Sequence, residues 1–415
     1  MAPYETDDRA KAADEADDRR AGRHRAARYV VPVAVVGVAA ATIGLVPALA
    51  SSGDPDLPKV TARELLEKIA ASDVEQLSGT VKVSADLGLP DLGGLAGGFA
   101  SGAVRGDGDS SADPQSKLME LVSGTHTLRV ATDGPDRGKV SLLEDAAEYS
   151  VVHNGKDVWG YDSKSNEVYH ATAPAGAGRK APHDMPATPG DLADEALESV
   201  DDTTSVKVDG TAQVAGRDAY KLVVEPKQSG STVGAISIAV DARTGLPLKF
   251  TLTPASGGAA VVDVGFTKVD FSRPAASTFD FTPPKGAKVT EGDDHADTGK
   301  GLPRGMGRAM PPGAGTAVPK GGEGLDGVKT IGKGWSTIAE FHTGGTGLPS
   351  GGKGSSGNSD VDGFLNSLGD HVTGSFGSGT VFSTRLVNAL ITDDGTVYAG
   401  AVTKDALVKA AEAAH

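Results

Sequence analysis

The sequence predicts an α+β protein: one large antiparallel sheet covered by short helices, a small α+β C-terminal domain, and one apolar helix ahead of both. Three observations predict it. Strand-like segments follow one another across residues 80–289. Two turn cues sit among them, Asn154-Gly155-Lys156-Asp157-Val158-Trp159-Gly160-Tyr161-Asp162 and Asp241-Ala242-Arg243-Thr244-Gly245-Leu246-Pro247-Leu248-Lys249-Phe250. A charge-free apolar stretch occupies residues 29–53.

The elements follow in chain order. Residues 1–28 hold seven basic and seven acidic residues and read as a disordered cytoplasmic tail. Residues 30–49 have the length of a membrane-spanning helix. Arg19, Arg20, Arg23, Arg25 and Arg28 precede them and would stay in the cytoplasm. The rest of the chain is then extracytoplasmic. Two fates stay open for residues 29–50: a retained single-span anchor, or a signal core cleaved after Ala50, since Ala48-Leu49-Ala50 has the small-x-small pattern.

Thr61 and Glu64 form a capping box for an amphipathic helix carrying Leu65, Leu66 and Ile69. Val81, Val83, Ala85 and Leu87 alternate with polar residues, the pattern of a half-buried strand. Residues 88–114 are Gly-rich with scattered Leu89, Leu92, Leu95 and Phe99, either a lid or a surface insertion, and residues 117–122 read as a helical turn. Strands are expected at 126–132, 139–143, 149–153, 158–162 and 167–171, divided by turns at 133–136, 154–155 and 163–166. A loop at 174–189 and a short helix at 191–199 precede strands at 205–214, 218–224, 235–241, 246–253, 260–269 and 279–281. The first large domain therefore spans residues 59–290. Residues 291–324 are a Gly/Pro linker. Residues 325–415 form the small domain: a strand at 334–341, a Gly/Ser loop at 343–360, a helix at 361–368, a hairpin of 383–391 and 397–402, and a terminal helix at 404–414.

Composition narrows the function. The net charge is −15, which disfavours nucleic acid, because that partner needs a basic face to release counterions. The absence of Cys excludes disulfides, thiolate metal sites, a thiol nucleophile and a lipidated N-terminal Cys. Catalytic signatures are missing. Residues 347–354 approach a phosphate-binding loop but carry Gly354 where Ser or Thr should hold magnesium. Residues 374–379 read as loop glycine, and there is no Gly-x-Ser-x-Gly elbow. The nine His are scattered, with His126, His153 and His170 expected on strand surfaces or ends. Asp201-Asp202 and Asp393-Asp394 fall at turns, where carboxylates accept local backbone bonds. No enzyme activity, cofactor or metal is expected.

The order of helix and meander, the cues at 154–162 and 241–250, and the closing Phe279-Asp280-Phe281-Thr282-Pro283-Pro284-Lys285-Gly286 resemble the LolA-type fold. Lipoprotein carriers of the LolA kind share that fold with the N-terminal domain of RseB/MucB-type sigma-factor regulators. The resemblance covers residues 60–290. Residues 334–341 and 397–411 are similar to the small C-terminal domain of the RseB/MucB type; the Gly-rich 343–360 and the anchor-like N-terminus depart from that pattern. The resemblance implies an unclosed half-barrel with a concave apolar face that admits acyl chains of lipids or lipoproteins. It equally implies a regulator in envelope stress signalling whose partner is an anti-sigma factor or another membrane protein. A purely structural envelope protein is the third reading.

Alternation supplies the candidate lining: Val81, Val83, Leu128, Val130, Val140, Leu142, Tyr149, Val151, Trp159, Tyr161, Leu222, Val224, Ile236, Ile238, Leu248 and Phe250. These residues either line a hollow or make an ordinary core between sheet and helices. Trp159 and Tyr161 suit a headgroup boundary, being aromatic with a polar tip.

Overall fold

The computed structural model describes residues 55–88, 110–114, 117, 121, 124–172, 188–292, 329–342 and 369–414. The expected tail and apolar helix, the apolar residues of the Gly-rich insertion, the near-phosphate loop at 347–354 and the helix at 361–368 lie outside the described residues. No helix among the described residues is long and apolar enough to cross a membrane.

Helix α1 (Ala62–Ala70) starts as its sequence dictates: the Thr61 hydroxyl accepts from the Glu64 N–H, and the Glu64 carboxylate accepts from the Thr61 N–H at 2.7 Å. Six strands follow: β1 (Gln76–Ala85), β2 (Gly124–Asp133), β3 (Arg137–Leu143), β4 (Glu148–Asn154), β5 (Asp157–Asp162) and β6 (Glu167–Thr172). Helix α2 (Pro189–Glu198) begins with a second capping box, Thr188 with Asp191, and has Pro in its first turn. Five more strands complete the antiparallel part: β7 (Thr204–Val214), β8 (Arg217–Pro226), β9 (Val233–Asp241), β10 (Pro247–Pro254) and β11 (Val262–Asp270).

The sheet is not one continuous meander. Strands β1–β6 form one meander and β7–β11 another, and β11 returns to pair with β1, with Val83 opposite Val264. A short strand β12 (Lys288–Glu291) joins β6 in parallel and completes an open twelve-stranded sheet with β12 and β7 at its edges.

The expected strand at 279–281 is corrected by this arrangement. Phe279 follows a 3₁₀ turn (Ala276–Thr278), and its fully buried ring is anchored to the sheet where its carbonyl accepts from Asn154 Nδ2. The strand forms at β12 instead, where Val289 pairs with Val168.

Six shorter strands make a second sheet: β13 (Lys329–Ile331), β14 (Ile338–His342), β15 (Asp370–Gly374), β16 (Gly377–Ser383), β17 (Asn388–Thr392) and β18 (Thr396–Gly400). Helix α3 (Lys404–Ala414) covers it. Two expectations are corrected here. Residues 334–341 open as a 3₁₀ turn (Gly334–Ser336) before β14, and the glycines of 374–379 belong to the β15–β16 hairpin rather than to a loop.

The second sheet is built into the first. Trp335, only 2% exposed, belongs to the large core and donates its indole N–H to Thr204 Oγ1 at 2.8 Å. Leu386 enters the same core. Arg385 reaches Asp86 Oδ2 at 2.7 Å, and its N–H donates to the Leu87 carbonyl. Gly88 has a positive φ of 68°, and a side chain there would collide with Arg385.

Candidate functional site

Paired residues of neighbouring strands share a face, so register sorts the sixteen candidates. Val81 pairs with Leu128, Leu128 with Leu142, and Leu142 with Tyr149; Val130 pairs with Val140, and Val140 with Val151. Across the other meander Val83 continues through Val264, Phe250, Ile238 and Leu222. Val224 and Ile236 pair beside them, and Leu248 lies two residues from Phe250. Fourteen candidates therefore lie on one inner face.

Trp159 and Tyr161 do not. Their neighbours Gly160 and Asp162 take the inner positions opposite Val151 and Tyr149. A strand turns successive side chains to opposite faces, so both aromatics point outward. There Phe281 packs on them, 5.5 Å and 5.9 Å between ring centroids.

The two halves of the inner face are covered differently. Over β7–β11 the cover is regular helix. α1 lies over β7 and β8, α2 over β10 and β11, with Leu65, Ile69, Leu192, Ala193 and Ala196 in the shared core. Leu222, Val224, Ile236, Ile238, Leu248 and Phe250 are fully buried beneath them. This half is packed core at all six of these positions.

Over β2–β6 the cover is a strap formed by residues 110–114 and by the helical positions Lys117 and Leu121. Polar contacts at its ends hold it down. Glu167 Oε2 accepts from the Ser111 N–H at 2.9 Å, the Ser111 hydroxyl at 2.8 Å and the Ser110 hydroxyl at 3.2 Å. The Tyr149 hydroxyl donates to the Ala112 carbonyl at 3.1 Å. Lys117, 15% exposed, pairs with Glu144 Oε1 at 3.0 Å and lies 3.8 Å from Asp162 Oδ2. Gly160 permits the close crossing, because a Cβ there would strike the Ala112 carbonyl.

The electrostatics follow from these contacts. The Ser111 hydroxyl, then Lys288 and the Ser111 N–H, hold the Glu167 carboxyl down to about 2 against a smaller effect of burial. Burial, then the negative charges of Asp113 and Asp162, push the Tyr149 hydroxyl well above its ordinary value. It therefore stays protonated and donating at any physiological pH.

Between strap and sheet, Lys117, Leu121, Leu128, Val140, Leu142, Tyr149 and Val151 enclose about 10 Å³ of space, room for about one water. Five of the sixteen candidates meet there. At this point of the inner face the space beneath the strap is small, and Lys117 and Leu121 line its strap side. Their role was visible in the sequence only as a helical turn.

No grouping of three or more acidic or His residues fit for a metal ion occurs among the described residues. His126, His153 and His170 lie on β2, β4 and β6. Asp201 and Asp394 accept hydrogen bonds from nearby Thr203 and Thr396, as turn carboxylates do.

Residues 102–291 match the model of a family described as "Predicted periplasmic protein (DUF2092)". No curated protein sequence matches the chain. Solved structures similar to it include the MucA/MucB complex of Pseudomonas aeruginosa, at 15% identity over 84% of this chain and 96% of that one, with a TM-score of 0.36. An uncharacterized conserved protein from Thermus thermophilus is similar at 13% identity over 56% of this chain and 99% of that one, TM-score 0.31. A LolA superfamily protein from Nitrosomonas europaea is similar at 12% identity over 54% and 99%, TM-score 0.21. Both branches of the resemblance drawn from the sequence are therefore among the similar structures.

Proposed function

We propose that this chain is an extracytoplasmic binding protein that takes an acyl chain, of a lipid or a lipoprotein, against the inner face of β2–β4 in place of the strap. The observation that carries this reading is the contrast between the two covers. The β7–β11 half is sealed by capped helices with apolar faces. Among the described residues, the β2–β6 half is closed by a strap held by hydrogen bonds to Glu167 and Tyr149, by the Lys117–Glu144 pair and by the packing of Leu121. The family description of residues 102–291 as periplasmic is in keeping with the basic residues ahead of the apolar stretch.

Energetically the exchange is feasible. A buried methylene is worth about 0.8 kcal/mol, so a chain that replaces Leu121 and the Lys117 stem over Leu128, Val140, Leu142 and Val151 regains the apolar contact given up. The strap's polar groups are then free to meet water. Uptake of a fluorescent fatty acid by the full chain, compared with a variant whose strap is weakened, tests the reading. No uptake by either protein would refute it.

The second reading is an envelope regulator that works through a protein partner. It is favoured by an open groove of about 330 Å³ between β15 and α3, lined by Val372, Val408, Lys404 and Lys409 among others. Because Trp335 and Leu386 are part of the large core, removing residues 325–415 would damage both functions. Val408→Asp is the cleaner test: it should abolish partner recovery while leaving fatty-acid uptake intact, and unchanged recovery would remove this reading.

A further inference from the structure

β12 is held at the sheet edge by few contacts. Its backbone pairs only with β6 among the described residues, and Val289 is 44% exposed. At one end Lys288 Nζ meets Glu167 Oε1 at 3.1 Å. At the other end stands His170 of β6. Its Nδ1 lies 2.7 Å from Glu291 Oε2 of β12, and its Nε2 lies 3.0 Å from Asp157 Oδ1 of β5. The ring is stacked on Trp159, with centroids 3.8 Å apart and planes inclined by 17°.

A proton count decides what this geometry requires. Ionised carboxylates only accept hydrogen bonds, and a neutral imidazole has one N–H to give. Both contacts are satisfied only by the imidazolium. We propose that His170 is a proton-operated clasp: as the imidazolium it fastens edge strand β12 to β5 and β6, and on losing one proton it gives up one of its two hydrogen bonds and the charge that strengthens the other, which loosens the β12 end. A metal ion does not explain the site, since the two carboxylates stand at opposite nitrogens of one ring.

The charged groups around the ring act in one direction. Burial opposes the charge, but the hydrogen bonds and negative charges of Asp157 and Glu291 outweigh it and raise the pKa above the ordinary 6.5. Lys288 and Glu167 are paired with each other at the far end of β12, and Trp159 presents only its ring. A raised folded value means that the clasp is fully closed below the ordinary value and opens as pH rises through the raised one. Opening affects more than four residues. Phe281, just before β12, packs on Trp159 and Tyr161, and the chain beyond β12 runs on to the second sheet. Glu167, at the other end of β12, also holds the strap. The inference does not depend on what the inner face binds.

Hydrogen–deuterium exchange of the full chain between about pH 5 and pH 9, corrected for intrinsic rates, tests the clasp. Residues 288–292 should lose protection about three- to tenfold across the titration of His170, while β9 stays constant. His170→Gln should abolish the step. As a second readout, the imidazolium quenches the stacked indole, so wild-type emission should rise with pH toward that of His170→Gln at the same midpoint. Glu291→Gln, at an exposed position, should move that midpoint to lower pH. Equal protection profiles in wild type and His170→Gln, or a midpoint unmoved by Glu291→Gln, would overturn the proposal.

Discussion

Glu167 accepts both hydrogens that Ser111 offers on the same oxygen, Oε2: the backbone N–H at 2.9 Å and the hydroxyl at 2.8 Å. Its other oxygen, Oε1, takes Lys288. One side chain of β6 therefore ties down the strap across the inner face and the edge strand β12 beside it. Glu167→Gln keeps the shape but removes the charge that makes these bonds strong. Exchange at residues 110–114 should then be about tenfold faster, with the core strands unchanged. Equal exchange in the two proteins would show that the strap is held by packing alone.

The same carboxylate sets an acid limit. Its folded pKa of about 2 lies below its ordinary 4.5, so its stabilisation is complete above the ordinary value. That stabilisation is lost as pH falls from there through about 2. Pepsin digestion across this range should cut the strap before the core, and Glu167→Gln should be cut with no such pH dependence. Simultaneous loss of strap and core in wild type would contradict the assignment.

Gly160 gives a geometric test. A Cβ at this position would strike the Ala112 carbonyl, while the Gly160 backbone lies outside the left-handed region and admits any residue. Gly160→Ala should therefore lift the strap, break the Tyr149–Ala112 hydrogen bond, and raise fatty-acid uptake. The cost in stability should be about 1–3 kcal/mol. A variant with wild-type uptake and wild-type strap exchange would place the strap elsewhere in solution.

Arg217 and Asp241 form the most buried ion pair described. The Asp241 side chain is 1% exposed. Its Oδ1 accepts from Arg217 Nη2 at 2.9 Å and from the Thr244 N–H at 2.7 Å, while Gly245, at φ 78°, lets the turn touch the end of α1. Burial opposes the charge, but Arg217 and the turn N–H groups lower the Asp241 pKa to about 2. Asp241→Asn leaves the guanidinium without its charge partner and should cost about 3 kcal/mol, read from urea unfolding. A loss near zero would refute the role given to this turn.

Trp335→Ala tests whether the two sheets form one core. It should destabilise the large sheet by about 3–5 kcal/mol, although Trp335 belongs to the segment leading into β14. Two independent unfolding transitions in wild type, with only the smaller one sensitive, would contradict a shared core.

The strands of the large sheet were legible because β-branched and aromatic residues alternate over long runs and Asn154-Gly155 and Asp241–Gly245 punctuate them. Both capping boxes mark helices for a local reason, though only Thr61–Glu64 has the Glu that the usual pattern calls for. What stayed hidden depended on partners distant in sequence. Trp159 and Tyr161 look like lining residues until register with β4 assigns the inner positions to Gly160 and Asp162. β12 is four residues long and gains its strand form only from β6. The hairpin of β15 and β16 was concealed by Gly374, Gly377 and Gly379, since glycine carries no alternation signal. The strap was the least legible part: its hold comes from Glu167, Tyr149 and Glu144, each more than 25 residues away in sequence.

The most direct measurement is equilibrium binding of a fluorescent fatty acid to the full chain and to Glu167→Gln. Saturable binding that tightens in the variant, and that Leu128→Asp on the inner face abolishes while the large sheet stays folded, is the predicted result. Absence of binding in both proteins, or binding indifferent to Leu128→Asp, would contradict an acyl-chain site under the strap.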